Sequence, residues 1–122
     1  MTNLEELRGP AFRAFVGLAR AWKLTDSEQL LLLGCPSGAD FSHWKEGDLA
    51  TLGVDAITRI SLLLGIYSAL HAIFTDPDQA DTWLRRTHAN GELAGGRALD
   101  LMVCNGLPGV RQVHGQLRCL VI

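Results

Sequence analysis

The side chains able to carry chemistry are few and scattered. The four histidines, His43, His71, His88 and His114, lie far apart, and none stands four residues from another His or a Cys. Zinc sites advertise paired ligand spacing, so no metal site and no cofactor is expected. The cysteines are Cys35, Cys104 and Cys119, an odd number without a C-x-x-C pair. That usage fits a reducing compartment and hence the cytoplasm. Cys104 is expected on a buried helix face beside Leu101 and Met102, where apolar surroundings keep a thiol protonated and inert. Gly95-Gly96-Arg97 can hold an anion at a helix N-terminus, but a plain chain reversal explains the pair of glycines equally well. The acids occur singly, as caps and surface charges. A protein without chemistry of its own is the expectation.

What remains is binding. The chain has 122 residues, 48% apolar and 20% charged, with a formal net charge of −2. Length and composition suit one domain or two small helical subdomains on a common core. The balance excludes a strongly basic nucleic-acid binder. Nine Arg stand against two Lys, which favours fixed, planar contacts over a diffuse cationic cloud. The opening Met1–Glu6 has no basic segment leading into an apolar stretch, so no signal peptide is expected. Ile60 to Phe74 is the most apolar run, 15 residues long. A membrane span needs about 20, so the run reads as a core helix and no membrane is expected as a partner.

The elements that position these side chains read as helices. Phe12, Phe15, Val16, Ala19 and Trp22 recur at helical spacing, with Pro10 suited to the first turn. Thr25 and Glu28 form a capping box for a helix from Asp26 to Leu33. Gly34 and Pro36 end it. A short helix then runs from Ser37 to Lys45, giving the spacing of a helix-turn-helix. Its outward donors to DNA are Ser37, Ser42, His43 and Lys45, set beside the unhelpful acids Asp40 and Glu46. Arg13, Arg20, Lys23 and Arg59 are candidate phosphate contacts from neighbouring helices, and Trp44 reads as a core plug. The longest helix, about Val54 to Phe74, carries the stripe Ile57, Ile60, Leu63, Leu64, Tyr67, Leu70 and Phe74. Being greasy on more than one side, it should be a central post.

Asp76-Pro77-Asp78-Gln79 caps a further helix to about Arg86. Thr87 to Gly96 reads as a loop, hairpin-like at Asn90-Gly91. Arg97 to Asn105 is helical and closed by Gly106. The last helix, about Gly109 to Leu120, aligns Val110, Val113, His114 and Leu117. The chain then ends on Leu120, Val121 and Ile122, an apolar run that must be tucked into its own core or into a partner.

The order of these landmarks resembles the Xre/MbcA/ParS-type antitoxins, which accompany RES-domain toxins and carry a DUF2384-like toxin-binding domain. The residues that match are Leu32-Leu33-Gly34, Trp44, the block Arg59 to Leu70, Phe74, Trp83-Leu84, Asn90, Gly95 with Leu99, Asp100-Leu101-Met102, Gly106 and the Val110/Val113/Leu117 stripe. Together they cover about residues 10–120. Two departures stand in the loop: Ala89-Asn90 replaces the family's Pro-Asn, and Gly95-Gly96-Arg97-Ala98-Leu99 lacks the proline of G-x-x-P-L.

The resemblance implies an all-α protein. Residues 1–74 would be an Xre-like helix-turn-helix and oligomerisation domain, and 75–122 a toxin-binding domain. It implies an antitoxin that blocks the cleft of a RES-domain, NAD-consuming toxin. Autorepression of its operon through operator DNA would accompany that role, and the chain would act as a homodimer within a larger toxin–antitoxin assembly. The residues expected to meet the toxin are Trp83, Arg85, Arg86, His88 and Asn90 in one patch, and Arg111, His114, Arg118, Leu120, Val121 and Ile122 in another. The competing expectation is a stand-alone helix-turn-helix repressor.

Overall fold

The computed structural model describes residues 4–34, 38–88 and 96–120. Among the described residues seven α-helices carry the fold: α1 (Leu4–Ala21), α2 (Asp26–Leu32), α3 (Gly38–Lys45), α4 (Val54–Ile73), α5 (Pro77–Thr82), α6 (Ala98–Asn105) and α7 (Leu107–Leu120). A 3-10 turn, Trp83–Arg85, follows α5. Two short strands, β1 (Thr87–His88) and β2 (Gly96–Arg97), pair antiparallel with Thr87 opposite Arg97 and His88 opposite Gly96. The all-α class is as expected. The strand pair closes the base of the expected hairpin-like loop, whose tip, including Asn90, lies outside the described residues.

Local chemistry accounts for most boundaries. Thr25 and Glu28 form the reciprocal capping box, with the Glu28 amide donating to the Thr25 hydroxyl and the Thr25 amide donating to the Glu28 carboxylate. Asp76 caps α5 through the Asp78 amide, with Pro77 in the first turn. Gly34 and Gly106 end their helices with φ of +66° and +63°, a region that only glycine enters without strain. The first helix corrects the expected start at Pro10: α1 begins at Leu4 and carries Pro10 inside it. Proline there removes one amide and leaves the Glu6 carbonyl without its helical donor. Both Glu6 and Pro10 are exposed, so water meets that carbonyl, while Arg8 ties this turn to the body by donating to the Leu52 carbonyl.

The central post is α4. It packs against α1 on one side, α7 on another and α5 near its end. Ala56, Ile60, Leu63, Ile66, Ala69 and Leu70 are its buried residues. The expected stripe holds at Ile60, Leu63 and Leu70, but Ile66 is fully buried while Ile57, Leu64, Tyr67 and Phe74 are half-buried. A helix flanked on several sides has no single buried stripe. Burying each large aliphatic side chain contributes about 1.5–3 kcal/mol. By length and composition α4 is apolar enough to cross a membrane, and 33% of its apolar window is buried within this fold. The core runs on through Phe15 and Trp22 of α1, Leu84 of the 3-10 turn, Leu99 and Met102 of α6, and Val110 and Val113 of α7. It thus crosses the expected domain boundary at 74/75.

Candidate functional interfaces

The α2–turn–α3 corner is held from inside. Phe41 and Trp44 are buried, the Trp44 indole donates to the Thr51 hydroxyl at 2.8 Å, and Phe12 meets the Trp44 ring edge-on. Trp44 is therefore the plug expected of it. Of the four DNA-facing candidates, Ser37 lies outside the described residues. Ser42, His43 and Lys45 are exposed. His43 sits 3.5 Å from the Asp48 carboxylate. Lys45 makes a 3.0 Å ion pair with Asp26 and lies over the Phe41 ring. Carboxylates thus already stand beside the two basic side chains that a reading helix would turn to phosphates.

On the C-terminal side, α7 rests its Val110, Val113 and Leu117 on the core. The approach is close at two glycines. A Cβ at Gly109 would stand 2.3 Å from the Leu101 carbonyl oxygen, so only glycine lets α6 and α7 meet there. A Cβ at Gly65 of α4 would stand 2.5 Å from His114 Nε2. The His114 ring fills that space, in a hollow of about 280 Å³ lined by Gly65, Ser68, Ala69, Ala72, His114 and Arg118. Burial, helped by the nearby Arg118 charge, pushes the His114 pKa down and favours the neutral ring.

The remaining face of α7 looks outward. Its sequence, LPGVRQVHGQLRCL, has no Asp or Glu. Arg111 and Arg118 are exposed and form no ion pair among the described residues. Leu120 is 67% exposed. Val121 and Ile122 lie outside the described residues. Arg111, His114, Arg118 and Leu120 are thus brought onto one helix, cationic and ending in an apolar residue.

The second expected patch is placed differently. Arg85 turns inward: it donates to the carbonyls of Trp22 and Lys23 at 3.0 and 2.6 Å and to the Glu28 carboxylate at 3.0 Å. Burial raises the Glu28 carboxyl, but the Thr25 amide, the Arg85 guanidinium and the Thr25 hydroxyl outweigh it and hold the group below its usual range. Arg86 folds back onto the Gln79 carbonyl, the Thr82 hydroxyl and the Phe74 ring. Trp83 is half-buried. Nothing is described of the His88 side chain, and Asn90 lies outside the described residues.

Two further expectations change. Cys104 is exposed rather than buried. Met102 faces the core, and Cys104, two residues on, points about 200° away. The Gly95-Gly96-Arg97 cradle loses its cation, because Arg97 binds the Asp100 carboxylate bidentately at 2.9 and 2.7 Å. That hydrogen bonding lowers the Asp100 pKa. Arg59, expected as a phosphate contact, is instead built into the packing. It pairs with Asp55 at 3.0 Å and lies directly over Gly34 and near Gly106, the left-handed exits of α2 and α6. A cation is favoured at helix C-termini, so Arg59 joins three elements. Its signal was two helix-ending glycines and one arginine, legible only once the packing is known.

The fold and this surface define a small all-α protein with one basic, acid-free helix, α7, and no cluster of metal-binding side chains among the described residues. No family model and no solved structure matches the chain. It is 38% identical over 114 residues to Uncharacterized protein y4oB of Sinorhizobium fredii (strain NBRC 101917 / NGR234), covering 93% of this chain and 86% of that protein. The chain belongs to the same family as y4oB.

Proposed function

We propose that this chain is an antitoxin: it neutralises a cognate RES-domain, NAD-consuming toxin by seating α7 and the residues after it in the toxin's cleft. The observation that carries the proposal is the exposed side of α7, where Arg111 and Arg118 have no acid on their own helix, together with Leu120, exposed in the last turn about 200° round from Arg118. Arg is enriched in interface hot spots, and a cleft that encloses the end of α7 would meet both the arginines and Leu120. Val110, Val113 and Leu117 anchor the helix on the core, so the helix is already formed before docking and little ordering entropy need be lost. The landmark order from Leu32 to Leu117 supports the same reading by resemblance. The inward turn of Arg85 makes it a residue that positions this body.

The test is removal of residues 118–122, which keeps Leu117, the last buried residue of α7. NAD turnover by the RES-domain product of the neighbouring gene is then measured with full-length or shortened chain present. Inhibition by the full chain, lost or weakened at least about tenfold on shortening, supports the proposal. Equal inhibition by both removes the plug.

A further inference from the structure

A second surface lies on α1, away from the face just described. Two hollows, of about 490 and 340 Å³, share Phe12, Val16 and Lys45 and so form one continuous groove along α1 beside α2 and α3. Its floor is Phe12, Val16 and Ala19, spaced so as to face one side of the helix, with Trp44 at one end and Leu24 at the other. Four cationic side chains line it: Arg13, Arg20, Lys23 and Lys45. No acid lines either hollow. In a chain with net charge −2, that is a marked segregation of charge. Asp26 answers Lys45, but Arg13, Arg20 and Lys23 have no ion pair among the described residues. Gly9 helps, since the Arg13 guanidinium lies over it, 3.3 Å from where a Cβ would be.

We propose that this groove docks an acidic amphipathic helix of a partner protein. The groove follows α1 from Gly9 to Ala21, about 18 Å or somewhat over three helical turns, and ends at Lys23 just beyond it. Arg13 and Arg20 are seven residues apart, about 10 Å along the axis. A helix lying along α1 with apolar residues inward matches them with carboxylates at i and i+7. Cations at both ends disfavour an anionic amphiphile with a single headgroup. The apolar floor disfavours nucleic acid, which offers phosphates without an apolar face to bury.

The probe is a fluorescein-labelled amphipathic peptide of about 16 residues, with Glu at i and i+7 flanking a Leu stripe. Its partner control carries Lys in place of Glu. Binding to the full chain is followed by fluorescence anisotropy, with circular dichroism confirming that R13E/R20E stays folded. Both arginines are exposed. The expected result is binding of the Glu peptide, weakened at least about tenfold by R13E/R20E, and binding of the Lys peptide to that variant instead. Equal binding of the Glu peptide to wild type and R13E/R20E overturns the proposal. So does failure of the Glu peptide where a DNA duplex or vesicles of anionic phospholipid bind with dependence on Arg13 and Arg20. A dimer in sedimentation that R13E/R20E dissolves would assign the groove to a second copy and overturn it too.

Discussion

Two helices, α3 and α7, each place basic side chains at the surface, and they differ in what stands beside those groups. On α3, Asp48 lies against His43 and Asp26 against Lys45. On α7, no acid occurs in the helix, and Arg111 and Arg118 meet none among the described residues. An exposed ion pair adds at most about 1 kcal/mol to stability, so the carboxylates near α3 matter less for the fold than for the surface they neutralise. Counting residues already favours α7, which has Arg111, His114 and Arg118 and no acid, where α3 has His43, Lys45 and Asp40. Counting their neighbours separates a corner closed upon itself from a face left available to another molecule.

The largest effect is expected from Gly109→Ala. The new Cβ collides with the Leu101 backbone rather than with a movable side chain. Overpacking of this kind costs about 1–3 kcal/mol or more. Urea unfolding should show that loss, and partner binding should fall with it, because α7 no longer seats. A stability unchanged within about 0.5 kcal/mol would mean that α6 and α7 do not meet as described.

Next is Arg85→Ala, which removes three hydrogen bonds and leaves Glu28 without its cation. Hydrogen bonds to charged groups contribute about 1.5–3 kcal/mol when well buried. The Arg85 side chain is 30% exposed, so a loss of about 1–2 kcal/mol is expected. The Glu28 carboxyl is depressed in the folded chain. Its contribution is therefore present above the ordinary pKa of 4.5 and disappears as pH falls through the lower folded value. Stability measured across that acid range should decline less steeply in R85A than in wild type.

The sharpest challenge to the contrast between helices comes from DNA. With carboxylates already beside His43 and Lys45, the chain alone should show no sequence-specific shift of its promoter fragment. A shift with a steep salt slope, abolished by S42A/H43A/K45A, would make α3 a reading helix and favour the repressor. The smallest expected effect concerns His114. Arg118→Ala removes the charge but not the burial that lowers its pKa, so an NMR titration should show a partial rise. In the wild type the unfolded chain takes up this proton first. Stability should therefore fall as pH drops below the ordinary 6.5 and level off once the folded ring is also protonated. The slope should be shallower in R118A.

Much of the fold was legible because its punctuation is local. Thr25 with Glu28, Asp76 with Pro77, and Gly34 and Gly106 each act within one turn of chain, and each does what its chemistry suggests. The start of α1 was not legible, because whether a proline opens a helix or sits inside it depends on whether water reaches one carbonyl. Cys104 was misplaced for a related reason: Leu101 and Met102 set the apolar face, and a two-residue step leaves it. The outward side of α7 was partly legible, since an acid-free helix ending in Leu120 shows in sequence alone. The inward role of Arg85 was not, because its partners, Trp22, Lys23 and Glu28, are about sixty residues away. The groove along α1 was invisible for the same reason: Lys45 joins Arg13 and Arg20 only through packing.

The most direct measurement places the two helices in one assay. NAD turnover by the RES-domain partner is titrated with R111E/R118E and, separately, with S42A/H43A/K45A. Reversing the α7 charges should weaken inhibition roughly 1,000-fold, given hot-spot losses of about 2 kcal/mol or more at each of the two anchors, while the α3 variant inhibits like the wild type. Full inhibition by R111E/R118E, with inhibition lost in the α3 variant, would contradict the account.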